Sequence, residues 1–254
     1  MKDFTFLHIS TIDSTNAYLQ RLQDTSEING FVVSADEQTA GKGMGCNSWE
    51  SAKGQNLTFS LALDTSWLPA PDQFILSQLV PLAILEVLDN YLPSEKLSIK
   101  WPNDIYYDRH KLGGILINNT ISGAYLDHSI IGIGLNINQT KFMDWPMHPI
   151  SMQMITGRTF DLKPLMEETV SHIAILVNQM QRSMIEKGIG DTRESINNRY
   201  YARLYRYHEW ADYEVNGKRL HLFMTDIDQF GRLQLTDETH MQHCFDIKEI
   251  RFLI

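Results

Sequence analysis

The chain has 254 residues, 43% hydrophobic and 21% charged, and its 22 Lys plus Arg against 31 Asp plus Glu give a net charge of −9. That length suits one large domain, or one with a small appendage, and the composition excludes disordered, collagenous and coiled-coil chains. The acidic balance disfavours a protein that lives on phosphate backbones, while leaving room for a local basic site.

The N-terminus, MKDFTFLHIS, lacks the apolar run and small-residue cleavage site of a secretory signal. The two cysteines, Cys46 and Cys244, lie far apart, so no disulfide framework is expected and the predicted setting is a reducing cytoplasm. Alternation predicts a first strand at residues 4–9. Asp13, Ser14, Thr15 and Asn16 are N-cap residues, and the apolar spacing after them is helical. A second strand is expected at 30–35, running into a glycine-rich loop at 39–45, and a third, buried strand at 57–63. Residues 73–91 form a long helix, apolar on most sides, which Pro81 kinks or starts. Ser77, Gln78, Pro81 and Glu86 make its most apolar part too polar for a span of ~20 residues, so no membrane association is expected. A short strand at 98–101 enters a Pro-Asn-Asp turn, and 105–107 and 114–117 flank a polar turn as a hairpin. Another strand is predicted at 129–138, then helices at 162–187 and 192–205. From about Trp210 the chain turns to short β runs broken by Asn216-Gly217 and Phe230-Gly231, a small β module.

Four segments carry chemistry. In Gly41-Lys42-Gly43-Met44-Gly45 the spaced glycines permit close backbone approach to a ligand and an anion nest, to which Lys42 adds a cation. The spacing is neither a Walker loop nor a dinucleotide fingerprint, and alone it also reads as a glycine turn. Lys100-Trp101-Pro102-Asn103-Asp104 joins a cation, an aromatic face and two short polar side chains at a strand end, or forms a simple turn. Lys111-Leu112-Gly113-Gly114 either points an amine into a cleft or leaves a solvated hairpin lysine. In Gly132-Ile133-Gly134-Leu135-Asn136-Ile137-Asn138, the two asparagines share one strand face and need partners, either a ligand or the neighbouring strand.

Taken in order, Ser-Thr-Asn, Gln-x-Ala-Gly-Lys-Gly, Lys-Trp-Pro-Asn-Asp, Lys-Leu-Gly-Gly-Ile-Leu and Gly-Ile-Gly-Leu-Asn-Ile-Asn resemble the biotin–protein ligase family over nearly the whole chain. The resemblance implies an α+β fold: a central mixed sheet with packed helices, residues 1–207, and a small SH3-like barrel, residues 208–254. It implies a ligase that joins biotin to AMP from ATP, with Mg²⁺, and passes the biotinyl group to one lysine of a biotin carboxyl carrier domain. Adenylation supplies the leaving group that a carboxylate lacks, and cations must offset the repulsion between two anions. By the family pattern Ser14, Thr15, Asn16 and Gln38 lie at the biotin pocket, with Lys42, Gly43, Met44, Lys111 and Gly114. Lys111 is the leading catalytic residue, joined by Asp104 and Lys42. Trp49, Asn103, Asp104, Asn136 and Asn138 fall on the ATP side, and no resident metal site is implied.

The loop departs from the family. Lys42 stands where arginine is usual, Met44 replaces a second arginine and Cys46 a glycine. Lys42 keeps the charge and loses the bidentate fork; Met44 cannot neutralise a phosphate. Weaker retention of the adenylate is therefore expected. Cys46 is read as a tolerated small side chain rather than a reactive thiol. The sequence begins almost at the first strand, without room for the helix-turn-helix domain of some relatives, so DNA binding is not expected. A monomer or homodimer is. The alternatives are lipoate or octanoate chemistry on a similar fold, and a catalytically weak biotin-binding protein. His240, His243 and Cys244 read as a polar hairpin, because no second ligand pair lies near. The rings and arginines of 200–207 read as a packing face.

Overall fold

The computed structural model describes residues 4–23, 27–45, 47–143 and 148–253; Cys46 lies outside them. Seven strands form the main sheet: β1 (Thr5–Ile12), β2 (Phe31–Gln38), β3 (Leu57–Asp64), β4 (Leu97–Lys100), β5 (Asp104–Tyr107), β6 (His110–Ser122) and β7 (Tyr125–Leu135). Their order is β1-β2-β3-β7-β6-β5-β4. The β1–β2 pair is parallel and the rest antiparallel, so the sheet is mixed, as expected. The central β3, LTFSLALD, is buried at every position but the last, because helices cover both of its faces.

One face carries α1 (Thr15–Gln23), whose Leu19 packs with Val33, Ala62 and Ile130. Ser14 caps this helix, its Oγ accepting the Ala17 amide at 3.3 Å. The other face carries α2 (Phe74–Leu88), α4 (Leu162–Lys187) and α5 (Ile189–Tyr201); a one-and-a-half-turn α3 (Met152–Thr156) precedes α4 in the chain. The helix α2 runs through Pro81 rather than starting there. Proline inside a helix costs about 3 kcal/mol, and burial of the helix on nearly all sides offsets it. Asp161 caps α4 and Gly188, at φ 82°, ends it.

The C-terminal unit is a five-stranded antiparallel sheet in the order β11-β10-β9-β8-β12, formed by β8 (Trp210–Val215), β9 (Lys218–Ile227), β10 (Leu233–Thr236), β11 (Gln242–Phe245) and β12 (Ile250–Phe252). This is the small SH3-like module that was expected; its edge strands β11 and β12 do not pair with each other, so the sheet stays open. The Asn216-Gly217 turn joins β8 to β9 with both residues at positive φ, the geometry that matches strand twist in a two-residue hairpin.

Hydrogen bonds tie this sheet, and the segment that leads into it, to the main one. Residues 203–205 continue the main sheet past its β4 edge, with Ile99 donating to Arg203 O and Tyr205 donating to Ile99 O. Trp101, 2% exposed, donates from Nε1 to Gly231 O at 2.9 Å across 130 residues. A Trp101→Phe chain keeps most of the ring but leaves a buried carbonyl unpaired. It is expected to lose about 1–3 kcal/mol of stability in chemical denaturation; an unchanged midpoint would show the bond to be energetically silent. Among the described residues no helix is long and apolar enough to cross a membrane.

Candidate active site

A cavity of about 230 Å³ lies where the 41–49 loop, the β4–β5 turn and β12 meet over the faces of β3, β6 and β7. Its inner end is neutral and polar. Thr15, in the first turn of α1, donates from its amide to Gln38 Oε1 at 2.7 Å and from its hydroxyl to the same oxygen at 3.0 Å. The Thr15 and Ser60 hydroxyls are 2.8 Å apart. These groups therefore satisfy one another and form a fixed frame.

Asn16 is different. It is 4% exposed, and neither its Oδ1 nor its Nδ2 has a hydrogen-bond partner within the protein. Gly132 makes its space: a Cβ there would come within 3.1 Å of Asn16 Nδ2. A buried carboxamide left with both its donor and its acceptor open is costly unless a ligand meets it. The inner end thus suits a small polar group that both donates and accepts.

The outer end is cationic. Among the described residues Lys42, Lys100, Lys111 and Arg251 line the cavity against a single carboxylate, Asp104, in a chain whose overall charge is −9. Lys111 Nζ is 2.6 Å from Asp104 Oδ1, with the two side chains 21% and 8% exposed. The β5–β6 register sets Asp104 opposite Gly114 and Lys111 opposite Tyr106, and a Cβ on Gly114 would lie 3.4 Å from Lys111 Nζ and 3.5 Å from Asp104 Oδ1. Burial pushes the Lys100 ammonium below its ordinary lysine range, with Asp104 pulling the other way. Low-dielectric walls strengthen the pull of such a group on an anion.

The glycine-rich loop is a small hairpin. Gly43 donates to Asn47 O, Trp49 donates to Gly41 O, and Lys42 bridges Ser48. Gly41 is held by this closure, since a Cβ would come within 2.4 Å of Trp49 O. The Trp49 indole lies over Gly134, where a Cβ would meet it at 2.4 Å, and its buried Nε1 has no partner. Lys42, Gly43 and Met44 line the cavity, and Lys42 is exposed.

The fold brings together Ser14, Thr15, Asn16, Gln38, Lys42, Gly43, Met44, Trp49, Asn103, Asp104, Lys111 and Gly114. It does not bring Asn136 and Asn138 into the lining. The strand expected at 129–138 ends at Leu135, and both carboxamides are spent on backbone: Asn136 Nδ2 on Lys111 O, Asn138 on both polar groups of Phe160. Asn103 lines the cavity but donates to Ile115 O at 2.6 Å, which locks the turn onto β6. Sequence reasoning quoted Lys100 and Gly132 without placing them in the site, and it missed Ser60 and the β12 residues Ile250, Arg251 and Phe252. No local signal marks the last three, because only the docking of the second sheet brings them to the cavity.

A mixed sheet with a glycine-rich loop over a cation-lined cavity defines an α+β domain whose cavity has the charge to suit an anion. A model of the biotin/lipoate A/B protein ligase family matches residues 8–136, about half the chain, and the chain belongs to that family. It is 29% identical over 229 residues to the biotin–protein ligase of Homo sapiens, covering 86% of this chain and 29% of the human protein. It is 35% identical over 130 residues to the bifunctional ligase/repressor BirA of Escherichia coli K12, covering 51% of this chain and 39% of that protein. The chain thus aligns with less than half the length of either relative. It has the fold of the biotin protein ligase from Aquifex aeolicus, solved in complex with biotin and ATP, at a TM-score of 0.73 and 22% identity over 100% of both chains.

Proposed function

We propose that the chain is an ATP-dependent ligase that activates biotin as biotinyl-5′-AMP and transfers it to a lysine of a biotin carboxyl carrier domain. The observation that carries this reading is the polarity of one cavity: an open carboxamide at one end, four cations against one carboxylate at the other. The ureido ring of biotin both donates and accepts, as Asn16 requires. The biotin carboxylate and the nucleotide phosphates are anions, as the outer end requires.

In the first step a biotin carboxylate oxygen attacks the α-phosphorus and pyrophosphate leaves. Lys111, held by Asp104, offsets the charge that accumulates between the two anions, an effect aimed at the transition state. In the second step the acceptor amine attacks the biotinyl carbonyl and AMP leaves with the bonding pair; the amine's proton passes to solvent or to a nearby base. Trp49 and Asn103 border the nucleotide side. Among the described residues Asp104 is the only carboxylate in the lining, and no group of three or more His, Cys, Asp or Glu is placed to hold a metal. Mg²⁺ would enter with the ATP phosphates and share their charge.

Met44 lines the cavity without a charge, and Lys42 keeps one exposed cation there. The adenylate is expected to dissociate faster than from ligases with two loop arginines; an equal or slower measured off-rate would overturn that point. The whole reading is tested by incubating the chain with biotin, Mg-ATP and an apo carrier domain, followed by intact mass. One biotinyl group on one lysine, dependent on ATP, is the expected product. An unmodified carrier would refute it.

A further inference from the structure

Lys100 ends β4 and is 9% exposed. Among the described residues its ammonium has neither an ion pair nor a hydrogen-bond acceptor. The Asp104 carboxylate that attracts it is already paired with Lys111. What surrounds it instead is aromatic. Its Nζ sits 4.9 Å from the Phe252 ring centroid and 5.3 Å from that of Tyr106. Phe252 belongs to β12, the last strand of the C-terminal sheet, and is itself held edge-on to Tyr213 at 4.9 Å. Two ring faces keep a cation charged without neutralising it. An ammonium left charged, buried and unpaired has its hydrogen-bonding capacity open to the cavity it lines.

We propose that Phe252 is a positioning residue that holds Lys100 as an anion ligand for the pyrophosphate end of ATP, so that the C-terminal sheet completes the nucleotide site. This rests on the reading of the cavity given above. Tyr106 supplies the floor from the main sheet, and Phe252 supplies the wall from the second. Arg251, the neighbouring cavity residue on β12, is committed to Glu214 at 2.6 Å, which leaves Lys100 as the cation at this junction without a carboxylate partner.

The test measures binding of ATP and of free pyrophosphate by calorimetry, together with KM and kcat in biotin-dependent ATP–pyrophosphate exchange. The variants are Phe252→Leu, Phe252→Tyr and Lys100→Met. Leucine keeps the apolar packing and removes the ring face. Phe252→Leu is expected to weaken pyrophosphate binding and raise KM for ATP by about three- to tenfold, with kcat and biotin affinity within about twofold. Tyrosine restores the ring and is expected to restore the affinity. Lys100→Met is expected to lose at least as much as Phe252→Leu. Pyrophosphate binding unchanged in Phe252→Leu, or equally lost in Phe252→Tyr, overturns the proposal. So does equal weakening of biotin and pyrophosphate binding, which marks a packing role. A wild type that binds ATP and pyrophosphate but shows no exchange with biotin refutes the ligase reading instead, and the binding data still decide the role of Phe252.

Discussion

Lys111→Ala is expected to lower kcat for biotin-dependent ATP–pyrophosphate exchange by about 100- to 1,000-fold, the range found when one preorganised charge-stabilising group is removed. The loss has two parts. The cation aimed at the reacting anions disappears, and the buried Asp104 loses its only ion-pair partner among the described residues. The second part also costs stability, because a buried carboxylate without a partner is unfavourable. Lys111→Ala/Asp104→Asn separates the two: it should recover stability and leave exchange depressed. A loss under tenfold in the single variant would remove Lys111 from the chemistry.

Asn16→Leu is expected to act in opposite directions on binding and on stability. In the free chain both polar atoms of Asn16 are buried and unpartnered, so an apolar side chain of similar size relieves that penalty. The thermal midpoint should stay level or rise. In the complex the same change leaves the ureido donor and acceptor of biotin unpaired. Biotin affinity should fall by about 30- to 1,000-fold, or 2–4 kcal/mol. Calorimetry with biotin and a melting curve on the same sample suffice. A fall in both quantities would mean that Asn16 is structural; unchanged affinity would mean that biotin binds elsewhere.

The elements whose periodicity is strong were legible. The helix expected at 162–187 is found at Leu162–Lys187, and the third strand differs from its expected range by one residue. The first strand extends to Ile12 and the second to Gln38, because their later residues are paired in the parallel ladder although their side chains are polar. Pro81 shows the opposite failure. A local rule makes proline a boundary or a kink, while burial of α2 on nearly all sides carries the helix through it.

The motif residues line one cavity, Asn136 and Asn138 excepted. Sequence cannot say whether a buried carboxamide meets a ligand or a backbone group. Asn16 meets neither within the chain, whereas Asn138 brackets Phe160 as a neighbouring strand would. Asn16 is buried and Asn138 half-buried, and the backbone of Phe160, remote in sequence, is what takes up the second. The β12 wall was illegible for a related reason. Phe252 lies more than 150 residues from Lys100, and the contact depends on how one sheet docks on another.

The central claim is that this cavity joins biotin to AMP. ATP–pyrophosphate exchange by the wild-type chain, with biotin, lipoate and octanoate in parallel, tests it most directly. Exchange that requires biotin and is absent with the other two acids is the predicted result. Exchange driven by lipoate or octanoate, or by none of the three, would contradict it.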